Sequence, residues 1–164
     1  MMNIDELITE YQKQLKEGKI QLAYKGIMEF MSGLRSYING KYDDLSVGSL
    51  YFGYMDMSYF AITNTILRSK NLKIAVVYLH QDNCFELWLS ATNKRLQASY
   101  INDFKKLDLK RYKLSKSIPH VDSIIEDRLL VNPKFDDQLG LKQEVSTSLI
   151  AFISDISAML DQVK

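Results

Sequence analysis

Apolar residues recur at three- and four-residue intervals near both ends of the chain, which is typical of amphipathic helices. A first helix begins after Asn3, which forms a capping box with Glu6, and Gly18 ends it. A second helix follows directly and ends at Asn39-Gly40, so residues 1–40 are predicted to form an antiparallel helical hairpin. A similar stripe, from Val145 to Val163, predicts a C-terminal helix over residues 143–162.

The middle of the chain changes to a strand-like pattern. Residues 50–62 are rich in Tyr, Phe and Met, which favours a strand. Residues 72–79 are apolar on both faces, which indicates a strand at the centre of a sheet. After a turn at residues 81–83, Phe85, Leu87 and Leu89 alternate with polar neighbours and predict a third strand that pairs as a hairpin with the second.

Three further elements complete the predicted fold. Thr92 or Asn93 can cap a helix, residues 109–116 read as a basic strand, and residues 123–131 fit a strand better than a short helix. Hairpin-linked strands indicate an antiparallel sheet. The expected fold is therefore one α+β domain over residues 1–164, with a sheet of four or five strands and an intervening helix in residues 49–131 and a helix packed on that sheet.

Composition and charge disfavour several classes of function. The chain has 21 basic and 20 acidic residues, a net charge of +1, which disfavours a general nucleic-acid binder. Cys84 is the one cysteine, so no intramolecular disulfide or multi-cysteine zinc site is expected. No signal-peptide pattern and no apolar run of about 20 residues is visible, so we expect a cytoplasmic protein that does not contact the membrane. No cofactor or metal motif is present, and none is predicted.

One candidate ligand-binding surface lies on the predicted strands. If residues 50–62 form one strand, Tyr54, Asp56 and Ser58 share a face, with Tyr59 beside them, and a carboxylate there would need a partner or a ligand. A binding or acid/base residue fits this pattern, and so does a solvent-facing Asp or one bonded to a neighbouring Tyr or Lys.

A second candidate is the pair Glu86 and Trp88, which share one face of the third strand. Lys73 on the neighbouring strand could pair with Glu86, and a surface ion pair beside a half-buried Trp is the structural alternative.

Two other surfaces are candidate sites for a nucleic acid or for a second copy of the chain. A basic cluster comprises Lys105, Lys106, Lys110, Arg111 and Lys113. This cluster fits a solvated helix end and a lysine-guarded edge strand better than it fits weak nucleic-acid binding. The stripe of the C-terminal helix fits a homodimer seam, although packing on its own domain suits its width better.

Two resemblances add to these expectations. The stretches at residues 24–28, 53–60, 85–89, 93–95 and 121–126 resemble a family of small, uncharacterised bacterial proteins, which implies a bacterial cytoplasmic protein and supplies no catalytic residue. The element order also resembles the restriction-endonuclease-like fold, whose pattern of an acid followed by Glu-x-Lys would use Asp56 and Glu86. Trp88 stands at the lysine position, so the pattern fails at a catalytic member.

The leading functional hypothesis is therefore a non-enzymatic binding or protein-interaction domain with an aromatic-lined surface. The alternatives are an enzyme or enzyme remnant that uses Asp56 and Glu86, and weak nucleic-acid binding through residues 105–116. A binding protein is favoured over an enzyme.

Overall fold

The computed structural model describes residues 1–163 and confirms the α+β class. The helices are α1 (Ile4–Glu17), α2 (Lys19–Lys41), α3 (Thr65–Ser69), α4 (Lys94–Phe104) and α5 (Gln138–Gln162). The strands are β1 (Ser46–Val47), β2 (Met57–Thr63), β3 (Leu72–Leu79), β4 (Cys84–Ala91), β5 (Lys113–Leu114) and β6 (Ser123–Val131). They form one sheet in the order β1-β2-β3-β4-β6-β5, with antiparallel neighbours throughout.

Period-two alternation divides the sheet into a covered and an open face. Phe60, Val76 and Leu87 align across β2, β3 and β4 and belong to the hydrophobic core. Buried side chains of α2, α4 and α5 join the same core, as Phe30, Ile101 and Phe152 exemplify. The helices therefore pack on one face of the sheet and leave the other to carry a site.

The predicted pair of N-terminal helices is confirmed, and a single residue links them. The capping box between Asn3 and Glu6 is present, and Gly18 adopts a left-handed φ of 76° between the helices. None of the α1 residues is buried, and most of its apolar side chains are exposed. The core contacts of the pair come from the later turns of α2, where Met31, Leu34 and Ile38 are buried.

The prediction of a strand over residues 50–62 was wrong for its first half. Residues 50–56 form a loop with one bridge, Tyr51 to Tyr59, and β2 begins at Met57. Gly53 and Met55 both have positive φ, and a Cβ at Gly53 would collide with the carbonyl of Met57. This left-handed backbone interrupts the extended chain.

Other observed element boundaries differ from the predicted ones, but the fold class is unchanged. Residues 123–131 form a strand, as favoured, whereas the basic strand shrinks to the two residues of β5. The C-terminal helix begins at Gln138, five residues earlier than predicted, because Asp137 caps it through Gly140. The stripe that suggested a homodimer seam on this helix is buried in the core, so it is not available to a partner. No helix in residues 1–163 is long and apolar enough to cross a bilayer.

Candidate functional site

The open face of the sheet brings together three of the five predicted ligand-binding residues. Tyr59, Val77 and Glu86 align across β2, β3 and β4, and Ala75 lies opposite Trp88 in the next row. Tyr59 and Trp88 are half-buried and Glu86 is buried. An aromatic surface therefore crosses the middle of this face.

A cleft of about 320 Å³ lies beside these rows, where β3 and β4 meet the start of α4. Ala75 and Trp88 line it from the sheet, with Tyr59 at one side. Lys73 and Ser90, a facing pair on β3 and β4, line it further along. This volume lies at the lower end of the range for small-molecule pockets, about 300 to 1,000 Å³.

The indole of Trp88 is held in place by a buried carboxylate. Trp88 Nε1 donates to Glu86 Oε2 at 2.6 Å, and Arg128 Nε donates to Glu86 Oε1 at 2.8 Å. Arg128 also pairs with Asp82 at 3.1 Å. Glu86 is 5% exposed, so burial without these donors would be costly. The predicted pair of Lys73 and Glu86 was wrong, because the register places Glu86 opposite Val77 and Arg128.

The far wall of the cleft is built by α4 and the segment before β6. Asn93 caps α4 by accepting from the backbone of Leu96. The buried side chain of Gln97 donates to the carbonyls of Val121 and Ser123, at 2.7 and 2.9 Å. Lys94 pairs with Asp122 at 3.1 Å on the cleft rim. These bonds fix the wall relative to the sheet.

Lys73 is the cation of the cleft whose charge is not compensated. Its side chain is exposed, and none of the ion pairs among residues 1–163 includes it. It lies at the edge of the aromatic surface, with an open path to solvent. A ligand with a negative group could therefore gain an ion pair here without displacing a protein carboxylate.

The other two predicted ligand-binding residues lie in the loop before β2. Tyr54 is 90% exposed, and Asp56 is exposed in the turn that follows it. The Asp56 carboxylate accepts from the backbone N–H of Tyr54 at 2.9 Å, and this bond is the main reason that its pKa lies below the ordinary value. Asp56 therefore faces solvent and stabilises a turn through its neighbour Tyr54.

Asp56 and Glu86 do not converge. Met57, Leu79 and Cys84 align across three strands, which separates the two acidic residues by two strand spacings and three residues along the sheet. Strand and residue spacings place their Cα atoms on the order of 14 Å apart. No group of three His, Cys, Asp or Glu side chains in residues 1–163 could hold a metal ion. The arrangement does not supply the two-carboxylate site of the enzyme alternative.

A serine and a histidine that the sequence reasoning missed meet at the edge of the covered face. Ser58 Oγ lies 2.8 Å from His80 Nε2, and Ser58 is fully buried. The Ser58 hydroxyl donates to the carbonyl of Phe52, so the imidazole Nε2 must carry the proton that it shares with Ser58. Burial lowers the pKa of His80, which favours this neutral ring. Ser58 is thus a hydrogen-bond bridge to the loop and not an activated nucleophile.

The predicted basic cluster is largely neutralised by neighbouring acids. Lys110 pairs with Asp155 at 2.8 Å, Arg111 with Asp127 at 3.1 Å and Lys113 with Glu126 at 3.7 Å. Lys105 and Lys106 remain exposed at the end of α4. Because a nucleic-acid surface needs positive charge that phosphates can reach, these pairs count against that alternative.

Asp155 on α5 contacts two residues of the segment that carries this cluster. It accepts from Lys110 and from the buried hydroxyl of Tyr112, and these bonds lower the pKa of Asp155 below its ordinary value. Stability from this group is therefore complete above the unfolded-state pKa and is lost as the pH falls through the lower folded-state pKa.

We expect Asp155→Asn to cost about 1–2 kcal/mol of unfolding free energy at neutral pH, as for hydrogen bonds to a charged group. The difference from the unmodified chain should shrink below about pH 5, and urea unfolding at several pH values measures it. Asp161→Asn, on the same helix and exposed, is the control. A difference that does not change with pH would contradict the assignment.

The main cleft residue that sequence reasoning did not assign to the site is Lys73. The predicted turn over residues 81–83 would pair His80 with Cys84, one residue out of register, whereas the observed turn also includes His80. With Leu79 opposite Cys84, Lys73 falls opposite Ser90 and two residues along β3 from Ala75, the partner of Trp88. The walls that α4 and Asp122 supply are tertiary features and have no local signal.

A family model described as "Domain of unknown function (DUF7000)" matches residues 4–160. No curated protein and no solved structure matches the chain.

Proposed function

This chain belongs to the DUF7000 family, a domain of unknown function, and we propose that it binds a small planar organic anion in the cleft on its open sheet face. The observation that carries the proposal is the indole of Trp88, immobilised by buried Glu86 at the side of a cleft that also holds the uncompensated charge of Lys73. The proposed role is non-enzymatic binding in the cytoplasm.

The ligand class follows from the chemistry of the lining. A fixed indole beside Tyr59 and Ala75 offers an apolar surface on which a planar ring can stack. Lys73 supplies a charge for a carboxylate or phosphate at the edge of that surface. The cleft volume of about 320 Å³ suits a ligand of one or two rings rather than a nucleotide with several phosphates.

Pre-organisation supports binding over catalysis. The hydrogen bonds of Glu86, Gln97 and Asn93 fix the sheet and the helix that form the cleft, so little conformational entropy is lost when a ligand enters. The ionisable groups that line the cleft, which include Lys73, Lys94 and Asp122, do not form a nucleophile hydrogen-bonded to a base.

The test uses Trp88 as its own reporter, because it is the one tryptophan in the chain. Purified protein is titrated with matched charged and neutral rings: benzoate against benzamide, and nicotinate against nicotinamide. We expect the acids to change Trp88 fluorescence and raise the unfolding midpoint more than the amides do.

Lys73→Met should remove this preference for the acid, with a loss of affinity of up to about fivefold, the equivalent of one exposed ion pair. The matched control is Lys25→Met, which removes an exposed lysine of α2, away from the cleft. An acid preference that survives Lys73→Met would show that the anion binds elsewhere, and rings without any effect would reject the proposed ligand class.

A further inference from the structure

The helix α1 carries an apolar face that this chain does not cover. Ile4, Leu7, Ile8 and Tyr11 are between 45% and 66% exposed, and no residue of α1 is buried. A helix of 14 residues has marginal stability in water by itself, and most protein helices gain theirs from packing an apolar face. The capping box and Gly18 define its ends, yet the packing contribution is missing.

The spacing of the apolar residues of α1 indicates a helix as the partner. Ile4, Ile8, Tyr11 and Leu15 follow one another at intervals of four, three and four residues, which is the seam of a two-stranded coiled coil. The seam covers two heptads. It is regular enough to receive the side chains of a second helix of the same length.

The charges along α1 indicate which helix that is. Its first half carries Asp5, Glu6 and Glu10 and no basic residue, whereas its second half carries Lys13, Lys16 and Glu17 and is net positive. A helix with this distribution is complementary to itself when a second copy runs in the opposite direction. A parallel copy would bring like charges together.

We infer that two copies of this chain associate through an antiparallel pair of α1 helices. The seam then forms layers in which Ile4 packs against Leu15 of the partner copy and Ile8 packs against Tyr11 of the partner copy, each layer occurring twice. Asp5 and Lys16 lie on the same flank of the helix. Asp5 of one copy therefore lies near Lys16 of the partner copy, and this pair occurs twice. The contact is isologous, and the assembly closes as a dimer.

The direction of the pair is tested by disulfide trapping, because the one native cysteine, Cys84, is buried. Ile4→Cys and Leu15→Cys are prepared as separate full-length proteins. We expect a disulfide-linked dimer on mild oxidation of the mixture and little from either protein alone. Efficient cross-linking of Ile4→Cys with itself would mean a parallel pair and would overturn the inference.

The association itself is measured by sedimentation across a range of protein concentrations. The unmodified chain should approach twice the monomer mass at high concentration. Ile8→Glu removes two copies of an apolar side chain from the seam and should raise the dimer dissociation constant by about a hundredfold. Ser32→Glu, which adds the same charge at an exposed position of α2, should leave it within about threefold.

Circular dichroism checks that each variant remains folded, which is expected because Ile8 and Ser32 are exposed. A monomer at every concentration would overturn the inference, and so would a dimer that Ile8→Glu leaves intact. Capture of the monomer by lipid vesicles, lost in Ile8→Glu, would assign the face to a membrane surface instead and would equally overturn it.

Discussion

Replacing Phe85 with alanine is expected to lower the free energy of unfolding by about 3–5 kcal/mol, the range for a phenylalanine removed from a close-packed core. Phe85 has no exposed surface. Its ring lies 5.7 Å from that of Phe30, 5.1 Å from Tyr78 and 6.1 Å from Phe135, measured between centroids. The cavity would therefore open between α2, two central strands and the segment before α5.

The expected loss is large compared with the total stability of the domain. A domain of this kind has a total stability of about 5–15 kcal/mol, so this one substitution removes a large share of it. Urea unfolding monitored by circular dichroism measures the change. Phe52→Ala is the matched control, because Phe52 is 58% exposed, and it should cost about 0.5 kcal/mol or less. Equal losses in the two variants would contradict the placement of Phe85.

Local patterns account for the parts of the fold that the sequence predicts well. The capping box of Asn3, the alternation around Leu87 and the Asn93 cap each depend on a few neighbouring residues, and each appears in the structure. The loop before β2 was misread because its aromatic residues have strand propensity, while the left-handed conformation at Met55 is a backbone property with little sequence signal.

The candidate site likewise has a part that local patterns predict and a part that they do not. Glu86 and Trp88 share a face because they are two residues apart on β4, which period-two alternation predicts. Their partner Arg128 comes from β6, which a helix separates from β4 in the chain, and two register shifts lie between these strands. A bulge of this kind moves each side chain beyond it by one position, so sequence alone could not assign Arg128 to Glu86.

Removing the carboxylate of Glu86 should have the second-largest effect on stability. We expect Glu86→Ala to cost about 2–4 kcal/mol, because two hydrogen bonds to a buried charged group are lost and the Trp88 Nε1–H is left without an acceptor. The estimate stays below that for a fully buried ion pair, since Arg128 is half exposed and water can solvate it. Urea unfolding gives the difference.

The same arginine offers a matched control. Asp82 pairs with Arg128 at 3.1 Å, as Glu86 does at 2.8 Å, yet its side chain is 46% exposed against 7% for Glu86. Asp82→Ala should therefore cost no more than about 1 kcal/mol. If the two substitutions had equal effects, the attraction to Arg128 would explain the result, and burial of the Glu86 carboxylate would not.

The two variants also separate stability from the proposed binding role. Glu86→Ala frees the indole of Trp88, so its fluorescence should shift to longer wavelength and the cleft should lose its affinity for the planar acids. Asp82→Ala leaves the bond between Trp88 and Glu86 in place, and its binding should match that of the unmodified chain. Binding that survives Glu86→Ala in a folded protein would show that the ligand does not depend on a fixed indole, which is the step that links this sheet face to its proposed function.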